Sequence, residues 1–404
     1  MMDCALRLRK FMSIDLVRIS ICLMVCGCSL LAQTPEAPPG CKGAADFTRV
    51  ERLLQGKQYD EAARALDETR NCDKLSAIEA FQLGWLYGRA RRFNDALKVF
   101  ETVPDDVPDR VSHQYAVALS YFELANYGNS VKILSALDAS GSLSPECANL
   151  LSVSYSKLGL YRQAELTLVK EIQSHANDQT ARLNLVTLYA DQDRFQEAAK
   201  VASETAEAFP NDSRVLVVRG AADTLIGQLD RAHDDFSAAA KLDPANSDTQ
   251  FFLALTRYKQ GRFADAIQSL EAANKSGIID SDLHYLLAEC LLKVDASGTR
   301  AAMTELNRAI ELNANSVSAR TVRGKLLLMA SRASDAAADL KIAYQHDPGS
   351  RSAAYNLARA YRAMGRTEEA QRLFAQLRSQ KTDSLGELSQ RRLNEVLTQK
   401  EADR

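Results

Sequence analysis

The sequence predicts an all-α fold: an α/α superhelical solenoid of about ten helix-turn-helix repeats, closed by a C-terminal capping helix. Three observations predict it. A small residue recurs at Ala62, Ala96, Ser130, Ala164, Ala198, Ala232, Ala266, Ala302, Ala336 and Ala370, and every step is 34 residues except the 36 between Ala266 and Ala302. The segments around these residues are alike, as in YDEAARAL from Tyr59, FNDALKVF from Phe93, YRQAELTL from Tyr161, FQEAAKVA from Phe195 and FADAIQSL from Phe263. The composition is that of a helical protein: 404 residues rich in Ala and Leu, 9 Pro, and 18 Gly spread along the chain. A helical hairpin cannot bury its apolar face alone, so hairpins on a fixed ruler stack into one continuous core. The length therefore makes one elongated domain rather than two or three globular ones.

The first element is an export signal at residues 1–32. Arg7, Arg9, Lys10 and Arg18 precede a 14-residue apolar run from Ile19 to Ala32. That run is too short for a membrane-spanning helix and suits the apolar core of a signal peptide. Three readings are open, one of them an uncleaved anchor. Cleavage after Ala32 gives a secreted or periplasmic protein. Val25-Cys26-Gly27-Cys28 is similar to the lipobox of bacterial lipoproteins, which places a lipid on Cys28 of an outer-membrane lipoprotein. A Pro-rich lead follows at residues 33–42, and the repeats occupy 43–384.

The ruler and its recurring segments resemble the tetratricopeptide repeat family, which implies that each repeat holds two antiparallel helices, A and B. Numbering positions from Gly43, position 8 is small at Gly84, Ala118, Ser152, Gly220, Ala254, Ala288, Gly324 and Ala358. Together with the ruler residue at position 20, it marks where helices A and B cross, because a large side chain there would push them apart. Position 11 carries Tyr87, Tyr121, Tyr155, Tyr189 and Tyr361, and position 15 carries Gly159, Gly227, Gly261 and Gly365 to end helix A. Pro108, Pro210, Pro244 and Pro348 close their repeats at position 32. This pattern resembles the tetratricopeptide repeat family over about residues 43–384.

Some repeats depart from the pattern. Pro104 shortens helix B of the second, and the eighth carries an insertion near Asp295 to Gly298. Residues 385–404 supply the capping helix and tail, with Leu388, Leu393, Val396 and Leu397 on one face. Cys41 precedes the first helix A and Cys72 follows its helix B. The ends of an antiparallel hairpin meet, so these two are expected to form a disulfide. Cys147 and Cys290 lie in different repeats, and Cys290 reads as a small core residue.

No catalytic set is present. The five histidines fall in five repeats, and no metal-ligand spacing, nucleophile elbow or phosphate-binding loop occurs. Acids such as Asp60-Glu61 and Glu368-Glu369 open B helices, where they favour the helix dipole and cap it. A net charge of −2 supplies no field for nucleic acid. The expectation is a non-enzymatic protein with no cofactor and no metal. It touches a membrane only through its signal or a lipid anchor.

The resemblance implies that a protein or peptide partner lies on a concave face lined by helix A, at positions 2, 5, 6, 9, 12 and 13. Those positions give Phe81, Trp85, Tyr115, Leu119 and Phe122 early in the chain, and Phe251, Phe252, Leu255 and Tyr258 later. The last two repeats give Lys325, Tyr355, Asn356, Arg359 and Arg362. Asn184 and Asn356 share the position at which peptide-binding members hold a ligand backbone. Arg and aromatic side chains are frequent anchors of binding energy, and clustered arginines suit an acidic segment. The expected role is therefore a protein-interaction scaffold in the bacterial envelope or outside the cell. The alternative is an envelope-assembly lipoprotein that uses its convex face or edges.

Overall fold

The computed structural model describes residues 43–56, 58–70, 75–104, 109–294 and 299–379. The signal with Cys28, the lead, Cys41, Cys72, Pro108, the insertion and the capping helix lie outside the described residues. The chain divides into two compact units, one ending at Val201 and the other beginning at Ala202. Among the described residues every regular element is an α-helix.

The first unit contains α1 (Gly43–Gln55), α2 (Tyr59–Arg70), α3 (Ala77–Arg89), α4 (Phe93–Phe100), α5 (Arg110–Glu123), α6 (Tyr127–Ala139), α7 (Pro145–Lys157), α8 (Tyr161–Ser174) and α9 (Gln179–Asp191). The division between units falls inside α10 (Phe195–Ala208). The second unit continues with α11 (Ser213–Leu225), α12 (Leu229–Leu242), α13 (Ser247–Lys259), α14 (Phe263–Lys275), α15 (Ser281–Val294), α16 (Thr299–Leu312), α17 (Val317–Met329), α18 (Ala333–His346), α19 (Arg351–Ala363) and α20 (Thr367–Ser379). Odd-numbered helices are the A helices and even-numbered ones the B helices. They fall on the ten hairpins that the ruler predicts. Only eight residues long, α4 stops at Phe100, ahead of Pro104.

The helix starts follow from local chemistry. A polar cap stands before most A helices: Ser76, Asp109, Ser144, Asp178, Asp212, Asn246, Ser316 and Ser350 each accept from a backbone N–H of the first turn. Ser76 and Glu79 complete a reciprocal capping box. Among the B helices, α6 starts in the same way, with Asn126 accepting from the Asn129 N–H, but others start differently. Arg92, Arg262 and Arg332 sit at the cap without a side-chain cap bond, and each pairs with the acid three residues on: Asp95, Asp265 or Asp335. In these helices the first-turn acid therefore holds an arginine at the helix start, whereas Glu61 of α2 meets Gln58.

The turns between A and B helices repeat one geometry. The amide of position 16 donates to the carbonyl of position 11, as in Arg92 to Tyr87, Leu160 to Tyr155, Gln228 to Asp223 and Arg366 to Tyr361. This is a Schellman closure, and it needs a left-handed residue at position 15. Gly159, Gly227, Gly261 and Gly365 supply it. Arg91, Ala125, Asp193 and Ser331 adopt it without being glycine, at φ of 60°, 56°, 60° and 58°.

Packing explains the ruler. Each ruler residue is buried; Ala62, Ala96, Ser130, Ala232 and Ala336 are fully so. At the crossing, Gly84 faces the ring of Phe100, Gly220 that of Phe236, and Gly324 the side chain of Leu340; a Cβ at Gly84 would lie 2.4 Å from the Phe100 ring. Successive helices pack on each other within each unit. A helices also pack beside the next A helix, as α3 does beside α5 and α17 beside α19.

Candidate functional site

In the first unit the predicted aromatic residues are largely packing residues. Phe81 and Trp85 on α3 are half-buried. Phe81 stands edge-on to Trp85 at 6.1 Å and to His113 at 6.0 Å, and it also meets Phe100. Trp85 packs against the hydrophobic clusters on both sides of it. Tyr115, Leu119 and Phe122 on α5 are buried, and Phe122 meets Tyr127 edge-on at 5.2 Å. Their area is used inside the protein, where each such side chain contributes about 1.5–3 kcal/mol. Only Phe81 and Trp85 keep part of their surface for a partner.

Asn184 on α9 is buried and already engaged. Its Nδ2 donates to Asn149 Oδ1 at 2.9 Å, and Asn149 Nδ2 donates to Pro145 O and to Asp178 Oδ2. Asp178 in turn caps α9. The pair is a polar ladder between neighbouring A helices.

In the second unit Phe251 and Phe252 on α13 are in the core, and Phe252 stacks on Phe236 with centroids 5.5 Å apart. These two, with Leu255, pack the interior and leave the candidate surface. Tyr258 is half-buried and lies against Phe263 and the Glu289 carboxylate of α15. Burial first, and Glu289 second, push its hydroxyl up to about 12.

The last two repeats differ. Lys325 on α17 is exposed, and so are Tyr355, at 52%, and Arg362 on α19. Arg359 is half-buried. Its Nη1 donates to Asn356 Oδ1 at 3.2 Å and its guanidinium lies over the Tyr355 ring. Arg362 lies over the ring of Phe374, which Tyr355 meets edge-on at 5.9 Å. Asn356 is buried and donates to Ser352 O. The structure thus brings Tyr355, Asn356, Arg359 and Arg362 together on one helix and sets Lys325 on its neighbour. Met329, 69% exposed at position 13 of α17, belongs to the same face. Sequence reasoning did not single it out, although its position in the repeat would have found it.

The other buried charges hold hairpins together. Arg219 reaches Asp235 and Arg231 reaches Asp223 across α11 and α12, and Arg320 and Arg323 both reach Asp339 across α17 and α18. Burial pushes the Asp235 carboxyl up in spite of Arg219. Cys147 and Cys290 are buried free thiols, and burial pushes that of Cys290 up to about 12. Among the described residues no group of three or more His, Cys, Asp or Glu is placed to hold a metal ion, and no helix is long and apolar enough to cross a membrane.

Comparison with known proteins agrees with this geometry. A family model for the cilia and flagella-associated protein 70 C-terminal domain matches residues 110–355, and a tetratricopeptide repeat model matches residues 327–390. No curated protein matches the sequence. Among solved structures, a tetratricopeptide repeat protein from Parabacteroides merdae is 14% identical with a TM-score of 0.51, covering 62% of this chain and 98% of that one. YrrB, described as a TPR protein with an unusual peptide-binding site, is 22% identical with a TM-score of 0.36, covering 47% of this chain and 96% of its own. Yeast Tom70 is 15% identical with a TM-score of 0.43, covering 89% of this chain and 96% of its own. With a family model over more than half of its length and a hairpin every 34 residues, the chain belongs to the tetratricopeptide repeat family.

Proposed function

We propose that this protein is a non-catalytic scaffold that binds protein or peptide partners through the face lined by its A helices. One observation carries the reading. Among the side chains that α17 and α19 leave exposed on this face are Tyr355, Met329, Lys325 and Arg362, with Arg359 half-buried among them. Exposed Arg and aromatic side chains on neighbouring rigid helices are the usual anchors of an interface. Membership of the repeat family supports the same role.

The N-terminal sequence supports export to the bacterial envelope or beyond, with a Cys41–Cys72 disulfide in the mature chain. A second reading rests on Cys28: a lipid there makes the protein an outer-membrane lipoprotein that assembles envelope complexes through its convex face or edges. Affinity capture from an envelope fraction, with mass spectrometry of the purified mature chain, tests both. The leading reading expects stoichiometric partners and a chain lacking its first 32 residues. A chain beginning at a lipidated Cys28 favours the second reading. Turnover of a small substrate by the isolated protein contradicts both.

A further inference from the structure

We infer that the face of α17 and α19 binds an extended acidic segment of its partner, with carboxylates about three residues apart. The inference rests on the scaffold reading above and assigns the chemistry of one part of that face.

Charge sign is the first observation. At the face positions of α17 and α19 stand Lys325, Arg359 and Arg362, and no acid. At the same positions of α13 and α15, Asp248, Asp282 and Glu289 stand beside Lys259 and Lys293. Single arginines without an acid also stand at these positions on α3 (Arg89) and α11 (Arg214), but the last two repeats are the place where three such cations fall on neighbouring A helices.

The second observation is that these cations are not consumed internally. In the same unit Arg219, Arg231, Arg320 and Arg323 each hold a buried or half-buried aspartate. Arg359, Arg362 and Lys325 have no carboxylate within ion-pair distance among the described residues. Arg359 and Arg362 are instead laid over the rings of Tyr355 and Phe374, both at 5.9 Å from the centroid. A ring takes the face of a guanidinium and leaves its N–H edge for a planar anion, so the carboxylate finds the donors already oriented. Half-burial of Arg359 also strengthens its attraction relative to a fully solvated charge.

Spacing is the third. Lys325 and Arg359 share repeat position 9 on helices that pack side by side. Packed helix axes lie about 8–10 Å apart, and an extended chain in the polyproline II conformation advances about 3.1 Å per residue and returns its side chains to one side every third residue. A segment crossing both helices therefore meets the two cations with residues about three apart.

The test uses the full mature chain and an array of nine-residue peptides that vary the number and spacing of Glu, Gln, Lys and Leu. Peptides with Glu at every third residue are expected to bind at least tenfold more tightly than their Gln counterparts, and several-fold less tightly at 200 mM salt than at 50 mM. Lys325→Glu and Arg362→Glu should each remove that preference. Lys341→Glu, on the exposed surface of α18, should keep it. Lys325 is exposed and makes no side-chain bond among the described residues, so its variant separates binding from folding. Peptides that bind without preferring Glu over Gln overturn the inference and leave the scaffold reading in place. An array on which nothing binds overturns both.

Discussion

At the scale of single residues, the crossing point between helices A and B decides stability. Gly84 has no room for a methyl group, because a Cβ would lie 2.4 Å from the Phe100 ring. Gly88, one turn later on α3, has no heavy atom within 4 Å of the same position. Gly84→Ala is expected to cost about 1–3 kcal/mol through forced repacking. Gly88→Ala should gain about 0.5–1 kcal/mol from helix propensity. Urea titration of the two variants checks both signs; equal effects would contradict the packing account. Residue identity made the crossing legible in the sequence, since the small residues keep one register. The turn was less legible. Position 15 keeps its left-handed backbone at Ala125 and Ser331, where no glycine announces it. There the stacked hairpins impose a conformation that costs a non-glycine residue about 1–2 kcal/mol.

At the scale of elements, helices are joined by polar clasps that the sequence did not reveal. Tyr189 on α9 donates to Glu165 Oε1 on α8 at 2.8 Å, and Arg194, at the start of α10, donates to Glu165 Oε2 at 2.8 Å. Arg194 also stacks on the Tyr189 ring at 4.2 Å. Tyr87, Arg92 and Asp67 repeat the arrangement between α2 and the next hairpin. Tyrosine at position 11 was visible in the sequence, but its partner was not. The acid lies 24 residues back in one clasp and 20 in the other, one helical turn apart. The Arg194 hydrogen bond, helped by Tyr189, holds the Glu165 carboxyl below its ordinary value of 4.5. A depressed carboxylate stabilises the fold above its ordinary value and ceases to do so as pH falls through the folded value. Glu165→Gln should therefore lower the melting temperature at pH 7, with a gap from the wild type that narrows toward pH 3. A gap of constant size across that range would contradict the clasp.

At the scale of the whole molecule, 404 residues with a net charge of −2 hide a sorting of charge along the helices. The ten-hairpin order was legible because stacking needs small residues at fixed intervals. The interaction face was legible only in part. Aromatic type told that Phe252, Tyr115 and Phe122 matter, but not that they matter inside, because position 5, 6 or 12 of helix A faces either a neighbouring helix or solvent according to side-chain size and local packing. Charged residues were the better guide, since an unpaired cation has no reason to be buried. The central claim is that partners dock on the A-helix face. Photo-crosslinking tests it most directly, with benzoylphenylalanine placed in turn at Lys325 and Met329 on α17 and at Lys341 and Arg372 on α18 and α20. The account predicts partner adducts from Lys325 and Met329 and none from Lys341 or Arg372; adducts confined to Lys341 and Arg372 would contradict it.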